Sequence, residues 1–181
     1  MSVDTSRAAS LAAGAPSGAG VLSPEDYKAV FRRHPAGVAV VTLASPSGPV
    51  GFTATSVISV SASPPLLAFS VLATSSSWPA LAQTGSVAVS LLGYRDVAVS
   101  QRFATSGVDR FAGTDVDVLD TGEPVLRCAL TWVRGEVVER IRVGESFLVV
   151  VLATRSGTGG EGEPLVYHDR AYHALGAHYE I

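Results

Sequence analysis

A mainly β fold of short antiparallel strands, a barrel or sandwich with a few short peripheral helices, is the class that the sequence predicts. Three observations carry it. Short apolar, β-branched runs recur along the chain, and clusters of Gly, Pro and Ser separate them. Few helical periodicities intervene, so the strands lack the alternating helices that a parallel doubly wound sheet requires.

The elements follow in order. Ser23 can cap a helix, Pro24 suits its first position, and Glu25 and Asp26 favour its first turn. Tyr27, Val30 and Phe31 then fall at helical spacing up to Arg33, and His34-Pro35 ends the helix because a residue before proline is pushed out of helical geometry. Gly37 to Leu43 reads as a strand, Ser45-Pro46-Ser47-Gly48 as a turn, and Val50 to Ala54 as the returning strand. Leu66 to Leu72 is a third strand after Pro64-Pro65. Ser75-Ser76-Ser77 caps a short helix through Leu81, stopped near Gly85. Ser86 to Leu92 is a strand and Asp96 to Ala104 a helix. Ala129 to Ile141 is a strand with a bulge expected at Gly135, and Ser146 to Ala153 is an apolar strand expected to be buried on both faces. Ser156 to Glu163 reads as a glycine-rich loop, before strands at Leu165-Val166-Tyr167 and Tyr172-His173-Ala174.

The chain has 181 residues, of which 47% are hydrophobic and 16% charged, which suits one domain with a proper core. Residues 1–22, rich in Ala, Ser and Gly, are expected to be a disordered tail ahead of a domain over 23–181. Leu11-Ala12-Ala13 is too short for the apolar centre of a signal peptide, and no run approaches a membrane span, so a cytoplasmic location is expected. A net charge of −3 with scattered cations gives no electrostatic footprint for nucleic acid. The single cysteine, Cys128, fits a reducing compartment and reads as a small apolar core residue.

Common catalytic signatures are missing. No G-x-G-x-x-G joins a strand to a helix, and there is no phosphate-binding P-loop, no H-E-x-x-H and no G-x-S-x-G elbow. His34, His168, His173 and His178 lie at no zinc-helix spacing, so no metal is expected. What stands out is Thr53-Ala54-Thr55-Ser56 followed by Ser59, Ser61 and Ser63. Small hydroxylated residues let backbone amides approach a ligand and add donors at low steric cost, which suits a flat heterocycle or a phosphate. Ser75-Ser76-Ser77, at an expected helix start, suits an anion. Taken alone, the first reads rather as a polar turn and the second as a plain helix cap.

Several strings together resemble the flavin reductase family, the short reductase components of two-component flavin-dependent monooxygenases. They are Phe31-Arg32-Arg33-His34-Pro35-Ala36-Gly37-Val38, Gly51-Phe52-Thr53-Ala54-Thr55-Ser56-Val57, Ser59-Val60-Ser61 and Pro64-Pro65-Leu66. The similarity continues through Ser75 to Leu81, Arg102-Phe103-Ala104, Arg110-Phe111-Ala112-Gly113 and Leu165-Val166-Tyr167. The resemblance implies an antiparallel FMN-binding split β-barrel, a homodimer, and FMN or FAD reduced by NADH or NADPH (NADH favoured) for a separate monooxygenase. It implies that Thr53, Ala54, Thr55 and Ser56 line the flavin ring with Ser59 and Val60 nearby. Ser75, Ser76 and Ser77 would face the flavin phosphate, and Arg110 and Phe111 the ribityl or phosphate end. Where the family carries Gly-Asp-His this chain reads Gly144-Glu145-Ser146, so Ser146 and His173 are the candidates for the nicotinamide site. The alternatives are another oxidoreductase on the same barrel and a flavin-binding protein without turnover.

Overall fold

The computed structural model describes residues 20–175. Among them, Ser23 caps α1 (Pro24–Arg32) as expected, its hydroxyl accepting from the Asp26 amide at 3.1 Å. The helix buries none of its residues, and its apolar stripe of Tyr27, Val30 and Phe31 remains 53–61% exposed. The expected strand from Gly37 divides into β1 (Ala36–Gly37) and β2 (Ala39–Leu43). Val38 between them turns its amide to the Leu165 carbonyl and its own carbonyl to the Leu92 amide, 3.0 Å each, and so joins two sheets.

The chain continues through β3 (Val50–Ala54), β4 (Ile58–Ala62), β5 (Pro65–Leu72), α2 (Trp78–Leu81) and β6 (Ser86–Leu91). A 3-10 turn, Tyr94–Asp96, leads into α3 (Val97–Ala104). Then come β7 (Val116–Val118), β8 (Pro124–Leu126), β9 (Thr131–Val143), β10 (Ser146–Thr158), β11 (Leu165–His168) and β12 (Ala171–Ala174). The main sheet has seven strands in the order β3-β2-β6-β9-β10-β5-β4, each neighbour antiparallel. β1, β11 and β12 form a smaller sheet, and β7 pairs with β8. The molecule is mainly β.

The sheet curls until β3 meets β5. There Ser56 Oγ accepts from the Ser70 amide at 2.9 Å and donates to the Ser70 carbonyl at 3.2 Å, and the rings of Phe52 and Phe69 lie 6.0 Å apart. Inside the curl, Val41, Leu43, Phe69, Leu81, Val87, Val149 and Val151 are fully buried. A second core beneath α3 gathers Val40, Leu92, Phe103, Leu126 and Leu165.

Three expectations are corrected. The extra residue near Gly135 is Thr154 on the facing strand, because Gly135 pairs with Ala153 and Arg134 with Arg155. Gly135 serves close approach instead, since a Cβ there would sit 2.5 Å from the Leu152 carbonyl oxygen. β10 buries Val149 and Val151 fully but leaves Leu148, Val150 and Leu152 half-buried, so it is not covered on both faces. It also runs on to Thr158, claiming the first part of the expected loop, where Gly157 makes room for the Trp132 ring. As expected, the serine cluster stands at the start of α2, with Ser77 at the N-cap position of Trp78–Leu81, although its side chain makes no capping bond. The expected tail falls outside the described residues as far as position 19.

Gly51 needs its missing side chain, for a Cβ there would lie 2.6 Å from Cε1 of Phe103, which is fully buried, and 3.2 Å from Phe111. Gly51→Ala is expected to destabilise the fold by ~1–3 kcal/mol, as overpacking does, which a denaturant titration against the parent measures.

Candidate functional site

β3 and β5 converge at one end of the curl, and the segment after each strand opens outward there. Between them and α3 lies a cleft of about 580 Å³. Thr53, Ala54, Thr55 and Ser56 form one wall, Ser70 to Leu72 with Thr74, Ser75 and Ser76 the other, and Phe103, Ala104, Ser106 and Arg110 the end. Ser146 enters at the rim from the first position of β10.

The hydroxyls of this wall have separate duties. Thr53 Oγ1 donates to the Ser100 carbonyl at 2.6 Å and ties β3 to α3. Ser56 is spent on Ser70. Neither the hydroxyl nor the amide of Thr55 has a partner among the described residues, and Thr55 is exposed to the cleft. The outer two hydroxyls thus hold the wall rigid and the middle one faces outward.

Arg110 governs the closed end. Its Nη1 donates to the Gly51 carbonyl at 2.8 Å and to Ser77 Oγ at 3.0 Å, its Nε to the Thr105 carbonyl at 2.9 Å, and its Nη2 reaches Ser76 Oγ at 3.5 Å. Burial lowers its pKa from the ordinary arginine value, yet a guanidinium stays charged at neutral pH. Ser77 is buried and makes no capping bond with its side chain, and α2 has a single turn. The anion-receptive character expected of a helix start therefore belongs to Arg110 and the serine hydroxyls around it. Arg140 of β9 ties the far end of α2 to the sheet, donating to the carbonyls of Leu81 and Thr84.

The structure thus brings Thr53, Ala54, Thr55, Ser56, Ser75, Ser76, Arg110 and Ser146 to one cleft, with Ser77 behind Arg110. Four candidates lie elsewhere. Phe111 packs edge-on against Phe103 at 5.0 Å and lines a smaller cleft behind Arg110. Val60 is the bulged residue of β4, with Ser59 beside it on the wall of an apolar groove. His173 is exposed on β12, its Nε2 3.3 Å from the His168 carbonyl. Sequence reasoning missed Ser70, Thr74 and Ser106; a serine inside the apolar run of β5 was the available signal. Cys128 is disfavoured as a thiolate, because burial, followed by the charge of Asp96, pushes its thiol up to about 11.

A hydroxyl wall with free donors at its centre accommodates a flat polar ring, and a pinned guanidinium between serines accommodates a phosphate. This donor set fits a flavin mononucleotide unit. Similarity to known proteins points the same way. The chain is 46% identical to an NADH:FMN oxidoreductase of Rhodococcus erythropolis over 153 residues, spanning 82% of this chain and 80% of that protein. Its fold is similar to a crystal structure of a flavin reductase domain protein from Arthrobacter sp. FB24, with a TM-score of 0.82 and 38% identity over 88% of this chain and all of that one. It is similar also to an NADH:FAD oxidoreductase of Streptomyces globisporus C-1027 solved with NAD and FAD fragments, with a TM-score of 0.80 and 25% identity over 87% of this chain and 98% of that one. The family model of the flavin reductase like domain matches residues 31–176, which includes both walls of the cleft and Arg110. The chain belongs to the flavin reductase family.

Proposed function

We propose that this cleft is the flavin site of an NADH:flavin oxidoreductase, with the ring along Thr53–Ser56 and the phosphate at Arg110, Ser75 and Ser76. The position of Arg110, closing a hydroxyl-walled cleft with its guanidinium fixed by carbonyls, is the observation that carries this reading. Flavin supplies the hydride acceptor and NADH the donor, so no acid or base is demanded of the protein. What the chain contributes is position. Thr53 and Ser56 lock the wall in advance of binding, which limits what must be ordered when a ligand arrives. Thr55 presents its amide and hydroxyl to the ring edge, where donors stabilise developing negative charge. Ser146 offers a hydroxyl at the open rim for the nicotinamide carboxamide.

The reading includes the split-barrel form of the curled sheet, a homodimer, and transfer of reduced flavin to a separate monooxygenase in a reducing cytoplasm. An apolar groove of about 900 Å³, lined by Val57, Leu66, Leu91, Leu130 and Val133, supports a second copy as its cover. Ser59 and Val60 then belong to that contact, and His173 stays outside the cleft of its own chain. FMN and FAD share the unit that the cleft accommodates.

Mixing the protein with NADH and FMN or FAD and following nicotinamide absorbance tests the activity. Flavin-dependent oxidation of NADH is expected; flavin uptake without oxidation would leave a binding protein. Thr55→Ala is expected to weaken flavin binding about 3–10-fold, the worth of one neutral hydrogen bond, with little change in the thermal midpoint. Equal flavin affinity in variant and parent by fluorescence titration would remove Thr55 from the site.

A further inference from the structure

Two segments that reach the cleft also meet outside it, ring on ring. The loop from Ala73 to Ser77 leaves β5 and carries Thr74, Ser75 and Ser76 along one wall, while Ser146 opens β10 at the rim. Trp78 follows that loop directly, and Phe147 follows Ser146. Their rings lie face to face, with centroids 3.7 Å apart and planes 13° from parallel, the tightest aromatic pair among the described residues. Neither ring lines the cleft; both are half-buried and pack on the core inside the curl.

The two partners are held unequally. Phe147 sits in the ladder on both sides, paired with Val71 of β5 and Arg142 of β9. Trp78 has no ladder. It opens α2, a single turn whose Ser77 cap makes no side-chain bond, and one helical turn has no stability of its own in water. Arg140 pins the far end of that turn, and a bond from the Ala73 amide to the Glu145 carbonyl at 2.9 Å pins the start of the loop. Between these pins the loop meets Arg110 through Ser76 and Ser77, and Phe147 through Trp78. The Trp78 amide donates to the Ser75 carbonyl at 3.0 Å and the Ser77 amide to Ser75 Oγ at 3.3 Å, so the indole and the three serines move as one piece.

We propose that Trp78 and Phe147 are positioning residues for the phosphate end of the cleft: their stack keeps Ser75 and Ser76 in place beside Arg110 before a phosphate arrives. The inference rests on the flavin site proposed above and gives a role to two rings outside it. A site that is assembled only part of the time binds with an affinity reduced by the assembled fraction. Because Phe147 is fixed by its ladder, losing the stack frees the serine loop and not the rim. A ligand that needs the serines is therefore weakened, and one that does not is spared. FMN carries the phosphate and riboflavin lacks it, so the ratio of their affinities reads the position of the loop. Rings that served core packing alone would lower stability and leave that ratio unchanged.

The test uses three variants. Phe147→Leu keeps an apolar side chain in the core and removes the ring, Trp78→Leu does the same from the other side, and Trp78→Phe keeps a ring to stack. Flavin fluorescence titrations, corrected to folded protein and read beside thermal midpoints, give the Kd of each for FMN and for riboflavin. In both leucine variants the preference for FMN over riboflavin is expected to fall about 3–10-fold, the reach of one aromatic stack. Trp78→Phe is expected to keep most of that preference even where its midpoint drops. An unchanged preference in the leucine variants, whatever their midpoints, overturns the proposal, and so does a Trp78→Phe variant as impaired as Trp78→Leu. Failure of the flavin site shows differently. A parent that binds FMN no better than riboflavin removes the phosphate from the cleft and this inference with it. A preference that is lost in Arg110→Ala but kept in the leucine variants retains the phosphate and removes only the role of the stack.

Discussion

Arg110→Ala is expected to raise the KM for FMN on the order of ten- to a hundredfold while changing the KM for riboflavin far less, since a charge-assisted hydrogen bond contributes about 1.5–3 kcal/mol and Nη2 is the guanidinium nitrogen that no carbonyl holds. Riboflavin shares the ring but lacks the phosphate, so the comparison separates loss of a phosphate partner from a general loosening of the cleft. That separation matters because Arg110 also has structural duties. Its bonds to the carbonyls of Gly51 and Thr105 hold the loop before it against β3, and removing them leaves those carbonyls to water. Arg110→Lys restores a charge but not the fork that reaches Gly51 and Ser77 at once, and is expected to recover only part of the FMN affinity. Equal loss for FMN and riboflavin would assign Arg110 to the scaffold and move the phosphate elsewhere.

The legibility of this molecule differs from element to element for physical reasons. The hairpin of β2 and β3 was readable to within a residue or two, because β-branched runs flank a Ser-Pro-Ser-Gly turn and local chemistry decides both. α1 was readable from its cap, proline and acidic first turn. β4 was not read, although Ile58-Ser59-Val60-Ser61-Ala62 alternates with period two, because its serines drew a ligand reading. The end of β10 was lost for the opposite reason. Thr154 to Thr158 is polar and contains glycine, as loops do, and it pairs with β9 because Gly157 lies beneath Trp132, a contact that no local pattern announces. β7 and β8 are three residues each, too short for periodicity. At the site, the wall strand was visible in composition, but Arg110 drew notice only through the family resemblance. Its partners at Gly51, Ser76 and Ser77 lie far away in the chain, and long-range geometry of that kind leaves no trace in spacing.

Arg134→Met is expected to cost about 3–5 kcal/mol of folding stability, the penalty for stranding a buried charge without its partner. Glu123 is 1% exposed, and Arg134 Nε donates to it at 3.1 Å from a side chain that is 13% exposed. Ser86 and Thr121 also donate to the carboxylate, so Glu123 joins the start of β6, the loop before β8 and the middle of β9. Burial alone would raise its pKa. The hydrogen bonds from Ser86, Thr121 and its own amide, with the charge of Arg134, outweigh burial and hold it below the ordinary value of 4.5. The sign of the pH dependence follows. The unfolded chain takes up a proton near the ordinary value while the folded one still resists, so this stabilisation is complete above that value and is lost as pH falls toward the folded pKa. Glu123→Gln keeps one acceptor oxygen for these hydroxyls, its amide nitrogen able only to donate to the other, and cannot ionise. Its stability is therefore expected to fall less steeply on acidification than that of the parent, in urea titrations from neutral pH to below the ordinary carboxylate range. Parallel slopes for the two proteins would show that Glu123 does not set the acid limit. Because none of these groups borders the hydroxyl-walled cleft, flavin affinity per folded molecule is expected to stay at the parental level in both variants, the reverse of the pattern expected at Arg110.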